Sequence, residues 1–190
     1  MYFKKGRHRA VFIFPLLAIA IKIPMMRLFK TTKIVLRRLV HLDFKMMHRE
    51  TTRSLDCGGY KDMLFGGIVT NWREFVFFRK TKNPFLQPTH FSFFGIFNIQ
   101  KMGEPCSIDS YDLIHQVCLI TNYKVAVVDD CHHFSNSENF CLDDGKLKIL
   151  DYGSRKTHEV IIEYGTKIFE LFDPSIDYTK IEREKVAKKT

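Results

Sequence analysis

Several features that classify a protein at sight are missing from this chain. No C-x-x-C pair occurs among its five cysteines, Cys57, Cys106, Cys118, Cys131 and Cys141. An odd, unpaired set argues against a disulfide framework and fits free, mostly buried thiols in a reducing compartment, with the cytoplasm as the expected location. Cys131, His132, His133 and Cys141 could be drawn as a zinc set, but adjacent ligands followed by an offset of eight match no usual zinc spacing, so no zinc is expected. No apolar run nears the roughly 20 residues of a transmembrane helix, so no transmembrane span is expected. Internal repeats and low-complexity tracts are absent, and no short aromatic-basic motif of an RNA-binding module stands out.

Acid is scarce at one end. Residues 1–53 hold 13 Lys/Arg against only Asp43 and Glu50, while the remainder is close to balanced, for a net charge of +9. That asymmetry points to an acidic protein partner, nucleic acid or an anionic surface for the N-terminal region, with a solvated basic face as the plainer reading. Lys4, Lys5, Arg7 and Arg9 precede the apolar residues 11–21, and Ala18-Ile19-Ala20 mimics a cleavage site. The run contains Pro15 and stops at Lys22, too short for a bilayer. As structure it reads as a β-hairpin of residues 11–14 and 16–23.

With 190 residues, 45% hydrophobic and 18 of them Phe, the chain can build one good core or two small lobes. Residues 27–47 have helical periodicity: Leu28, Val35, Leu39, Leu42 and Met46 on a face expected to pack on a core, and Lys30, Lys33, Arg37, His41 and Lys45 largely on another. Two Gly-Gly pairs mark residues 51–67 as a loop. A helix is expected from Asn71 to about Lys80, then Phe-rich strands over residues 90–101 joined near Gly95, with Phe91, Phe93, Phe94 and Phe97 as core. Residues 103–105 read as a linker, residues 107–122 as a helix, residues 124–128 as a buried strand. Residues 140–142 and 147–150 read as strands around the turn at residues 143–145, and a helix follows over residues 158–172 before a basic, frayed tail. The order is α+β.

One stretch carries chemistry. HHFSNSENFCL, residues 132–142, is similar to the protein-kinase catalytic loop H-R-D-x-x-x-x-N and its following apolar strand, with Asn139 on the magnesium-binding asparagine. Twelve residues later, Asp151-Tyr152-Gly153 looks like the D-F-G metal loop. Upstream, AIAIKIP resembles V-A-I-K and places Lys22 as the phosphate-holding lysine. Glu74 is the first candidate for its ion-pair partner, although far along the chain, and Glu50 the second. The resemblance covers roughly residues 11–157 and implies a minimal two-lobed protein-kinase-like fold: an N-lobe-like part over residues 1–102, with the hairpin, the basic helix, the Glu74 helix and the Phe-rich strands, and a truncated C-lobe-like part over residues 103–190. Residues 98–105 would be its hinge. It further implies ATP and Mg²⁺ as ligands, with Lys22, Glu74, Asn139 and Asp151 binding the nucleotide and Asn139 and Asp151 taking the metal.

The pattern departs from a working kinase at decisive places. Phe134 stands where the catalytic aspartate belongs, and a phenyl ring accepts no proton. Only Gly6 precedes Lys22, so no glycine-rich loop covers the phosphates, and no A-P-E follows Gly153. Each candidate also has a plainer role: Lys22 as a snorkeling surface lysine, Asn139 and Asp151 as turn-holding side chains. Three readings stay open. The first is a degenerate kinase-like domain (a pseudokinase) acting through partner contacts. The second is an active atypical small kinase, resembling the lipopolysaccharide-kinase type, with Asp129 or Asp130 as base. The third is a basic structural or interaction protein of a larger assembly, binding through Lys30, Lys33, Arg37 and Lys45.

Overall fold

The computed structural model describes residues 1–6, 8–55, 58–127, 132–178 and 180. The chain is α+β and divides into two compact units, the first formed by Met1–Val76 with Thr89–Met102, the second by Phe77–Pro88 with Gly103–Thr190. The segment 77–88 thus belongs with the second unit, not the first. Among the described residues no helix is long and apolar enough to cross a membrane.

The first unit opens with β1 (Tyr2–Lys5), β2 (Arg9–Phe14) and β3 (Ile19–Pro24). The expected hairpin is present, but β2 starts two residues earlier, and β1, which no apolar run marks in the sequence, pairs with it. Pro15 starts a 3₁₀ turn closed by Ala18 at φ 51°. Then come α1 (Leu28–Val40), α2 (Phe44–Thr52), α3 (Tyr60–Thr81), β4 (Thr89–Phe93) and β5 (Phe97–Lys101). The strands form one antiparallel sheet in the order β1-β2-β3-β5-β4.

Register sorts the sheet into two unlike faces. Phe3, Phe12, Ile21, Ile99 and Phe91 are cross-strand partners in one continuous row. None of the five is buried, and Phe93 and Phe94 are exposed as well, so the Phe cluster expected as core is an outer face. The opposite row, Val11, Lys22, Asn98 and Ser92, lies on the face where the interior is polar. Lys22, Asn98, Gln100 and Thr89 are all buried there.

Helix α3 supplies the other side of that interior with Gly67, Asn71 and Glu74, one stripe at i, i+4 and i+7. A Cβ at Gly67 would overlap the His8 carbonyl oxygen and crowd Pro24, so the glycine is what lets the helix approach the strands. The expected loop over residues 51–67 is therefore mostly helix, and the helix expected to start at Asn71 starts at Tyr60. The single helix expected over residues 27–47 is broken. Leu42 takes φ 50°, and Asp43 caps α2 by accepting from the Met46 amide at 3.2 Å while pairing with Arg38 at 3.1 Å.

The second unit contains β6 (Glu104–Pro105), α4 (Ser110–Ile120), α5 (Lys124–Val127), α6 (His132–Ser135), β7 (Phe140–Asp143), β8 (Lys146–Ile149) and α7 (Arg155–Leu171). Residues 124–127, expected as strand, are one helical turn, and the expected linker at 103–105 supplies β6, which pairs with β7. Asp109 caps α4, accepting from the Tyr111 amide at 2.8 Å. Asp144 and Gly145 make the β7–β8 turn with φ 54° and 73°, the positive pair a two-residue hairpin of this hand requires. Residues 85–87 add a short parallel stretch on β8, with Gln87 N to Ile149 O at 3.0 Å and Ile149 N to Phe85 O at 2.8 Å.

The large apolar cluster among the described residues lies in this unit: Phe85, Leu113, Val117, Phe134, Phe140, Ile149, Tyr152 and Ile161 are among its buried members. The expected tail beyond residue 180 lies outside the described residues.

Candidate functional site

The first unit is organised around one carboxylate. Lys22 donates from Nζ to Glu74 Oε2 at 3.0 Å, and Arg9 donates from Nη1 to Glu74 Oε1 at 2.6 Å. Lys22 is 5% exposed and Glu74 fully buried. Asn71, one turn before Glu74, braces the group: Arg9 Nη1 reaches its Oδ1 at 3.3 Å, and its Nδ2 donates to the carbonyls of Lys22 and Gly95 at 3.2 and 3.0 Å. Asn98, the register partner of Lys22, donates in turn to the Asn71 carbonyl at 2.7 Å. A lysine and a glutamate 52 residues apart are thus brought together. Glu50 is not the partner; it pairs with Arg53 at 3.1 Å.

Such a cluster has a definite physical meaning. A charge taken out of water is costly unless it is paired and hydrogen-bonded, and here both carboxylate oxygens are bonded to cations. The pair locks the lysine chain into one position on the strand, which is what a point-charge phosphate ligand needs. Arg9 and Asn71 were not singled out from the sequence. Extending β2 by two residues places Arg9 on the face of Val11 and Ile13, and that alternation was the only available signal.

In the second unit, Asn139 ends the 3₁₀ turn Ser137–Asn139, and its Nδ2 donates to the His133 carbonyl at 3.1 Å. That bond turns Oδ1 into the atom a cation could use. The Leu150 amide donates to the Asn139 carbonyl at 2.7 Å, so the backbone immediately before Asp151 is tied to Asn139. Asn139 and Asp151 are both half-buried, and two hard oxygen donors held on adjoining backbone fit a Mg²⁺ ion in type. No group of three or more His, Cys, Asp or Glu suited to a metal occurs among the described residues.

Phe134 is fully buried and its ring lies 6.4 Å from the Phe140 ring, so this side chain is part of the apolar core. Tyr152, following Asp151, is buried too and donates to the Gln87 carbonyl at 2.8 Å. His158 bonds the Tyr152 carbonyl through Nε2 at 2.6 Å and stacks on Phe77 at 3.7 Å. Asp129, Asp130 and Cys131 lie outside the described residues, while Cys106, Cys118 and Cys141 are in no disulfide. Burial pushes the Cys106 thiol up, away from the reactive thiolate. A shallow cavity of about 500 Å³ in this unit is lined by Ser107, Asp109, Asp112 and Pro174 among others and holds none of the candidate residues.

The four cations expected to meet an acidic partner, Lys30, Lys33, Arg37 and Lys45, are all exposed on α1 and α2. Protein-family models, curated proteins and solved structures yield no match to this chain.

Proposed function

We propose that the chain is a degenerate kinase-like domain that binds nucleotide without transferring its phosphate and acts through partner contacts. The observation that carries this reading is the buried Lys22–Glu74 bond at 3.0 Å. A strand lysine held by a helix glutamate is the arrangement that kinases use to present an ammonium to the α- and β-phosphates. Glu74 fixes the lysine, and Lys22 supplies the charge. Bound Mg²⁺ would neutralise phosphate oxygens, and Asn139 Oδ1 and the Asp151 carboxylate are the groups in this chain that would hold it.

The absence of transfer rests on Phe134. Its ring is a core component, so no base is offered at that position and an acceptor hydroxyl is neither oriented nor deprotonated there. Titration of a fluorescent ATP analogue, with and without Mg²⁺, tests the reading. Saturable binding that weakens on removal of Mg²⁺ and on Asp151→Asn, with no phosphate release above background, is the expected result. Steady turnover would overturn the non-transferring part, and no binding at millimolar nucleotide would overturn the rest.

A further inference from the structure

Helix α1 presents its apolar side to solvent. At about 100° per residue, Leu28, Leu39, Leu36, Phe29 and Val40 fall in that order within an arc of about 120°. All five are exposed, Phe29 by 96% and Val40 by 79%. Lys33, Arg37 and Lys30 occupy the adjoining arc of about 60° and are exposed too. What faces the rest of the unit is the remaining strip, where Thr31 is buried and donates to Met63 Sδ at 3.6 Å, and Arg38 holds Asp43. Packing on the protein therefore uses the strip of Ile34, Arg38, Thr31 and Val35, none of them exposed, and leaves the arc from Leu28 to Val40 uncovered.

We infer that α1 is an interfacial helix that lies on an anionic lipid bilayer, with Leu28, Leu36, Leu39, Phe29 and Val40 entering the acyl boundary and Lys30, Lys33 and Arg37 resting among the headgroups. An apolar arc of this width beside a purely cationic one is the pattern of a helix that lies in the interface plane, not across it. Helix α1 carries four basic residues and no acidic one, in a region of 13 basic and two acidic residues, so the charge complement is a negative surface. Nucleic acid would use the cations and leave five apolar side chains in water, and so accounts for only half of the face. The inference uses the surface of the first unit alone and does not depend on nucleotide binding.

Co-sedimentation of the full chain with vesicles tests it, comparing phosphatidylcholine alone with phosphatidylcholine containing about one-third phosphatidylserine. The chain should pellet with the anionic vesicles only and be released by high salt. Each cation near such a surface contributes about a factor of five, so Lys30→Ala with Lys33→Ala and Arg37→Ala should lower the partition coefficient by roughly a hundredfold. Phe29→Ser with Leu36→Ser should lower it by about tenfold or more while leaving the melting temperature in place, because both side chains are already exposed. Failure to pellet with anionic vesicles overturns the inference. So does retention of duplex DNA or an acidic peptide that the charge variant loses and the Phe29→Ser/Leu36→Ser variant keeps, since the apolar arc would then have no role. No nucleotide is present in the assay, so either outcome leaves the role of Lys22 untouched.

Discussion

Two side chains decide how this protein is read, Glu74 and Phe134. Glu74 bonds Lys22 and Arg9 in the interior of the first unit, and removing one partner of a buried pair leaves charge without its compensation. Glu74→Gln should therefore cost about 3 kcal/mol or more of unfolding free energy, read by urea denaturation. A change within about 0.5 kcal/mol, the range of ordinary surface substitutions, would mean the carboxylate does not organise the unit. Phe134→Asp places a carboxylate at a fully buried position. An unpaired carboxylate in an apolar core is strongly unfavourable, so the variant should lose cooperative unfolding and gain no phosphoryl transfer. Asp173 adds a pH dependence: it accepts from the Ser175 hydroxyl at 2.6 Å and amide at 2.9 Å, which holds its carboxyl below the usual range. A carboxyl lowered on folding stabilises the fold above its unfolded value, and this is lost as pH falls through the lower folded value. Asp173→Asn should flatten the loss of stability below about pH 4, and an unchanged acid limb would contradict the assignment.

Among the elements, α3 and α1 show what patterns of apolar residues can and cannot reveal. The inward stripe of α3 is Gly67, Asn71 and Glu74, which no search for apolar periodicity would find, so residues 60–67 read as loop. Gly67→Ala should destabilise, despite the better helix propensity of alanine, by about 1–3 kcal/mol, since its Cβ has no room beside His8 and Pro24. Stabilisation instead would show that α3 stands off the strands. Helix α1 misled in the opposite way: of the stripe expected to pack, Leu28 and Leu39 face solvent while Val35 is half-buried, so periodicity found apolar residues and not what they meet. The same holds for β4 and β5, whose Phe positions alternate correctly while Asn98 and Gln100 take the inside. By contrast, the β7–β8 hairpin was legible, because Asp144-Gly145 acts through local backbone chemistry that needs no partner. Lys22, Asn139 and Asp151 could be named from motif resemblance and Glu74 from its place on the helix before the Phe-rich strands, whereas Arg9 and Asn71 emerge only from the register of β2 and the pitch of α3.

At the scale of the whole molecule the two units bury different things. The second has the apolar core, from Phe85 through Phe172, and the first has a charged and amide-lined interior under an apolar outer sheet face. A polar interior held by a few directional bonds is a poor source of stability and a good means of fixing positions. That division fits a protein whose second unit supplies stability and whose first unit fixes the position of Lys22, which the proposed function assigns to phosphate. The measurement that tests this most directly is thermal unfolding with and without Mg²⁺-ATP, on the natural sequence, Lys22→Ala and Asp151→Asn. A ligand that binds only the folded state at a hundred times its dissociation constant adds about 2.7 kcal/mol, a readily seen rise in melting temperature. A Mg²⁺-dependent rise that both variants lose is the expected result. A chain that melts cooperatively and shows no rise with Mg²⁺-ATP would contradict it, and the Lys22–Glu74 pair would then be a structural ion pair alone.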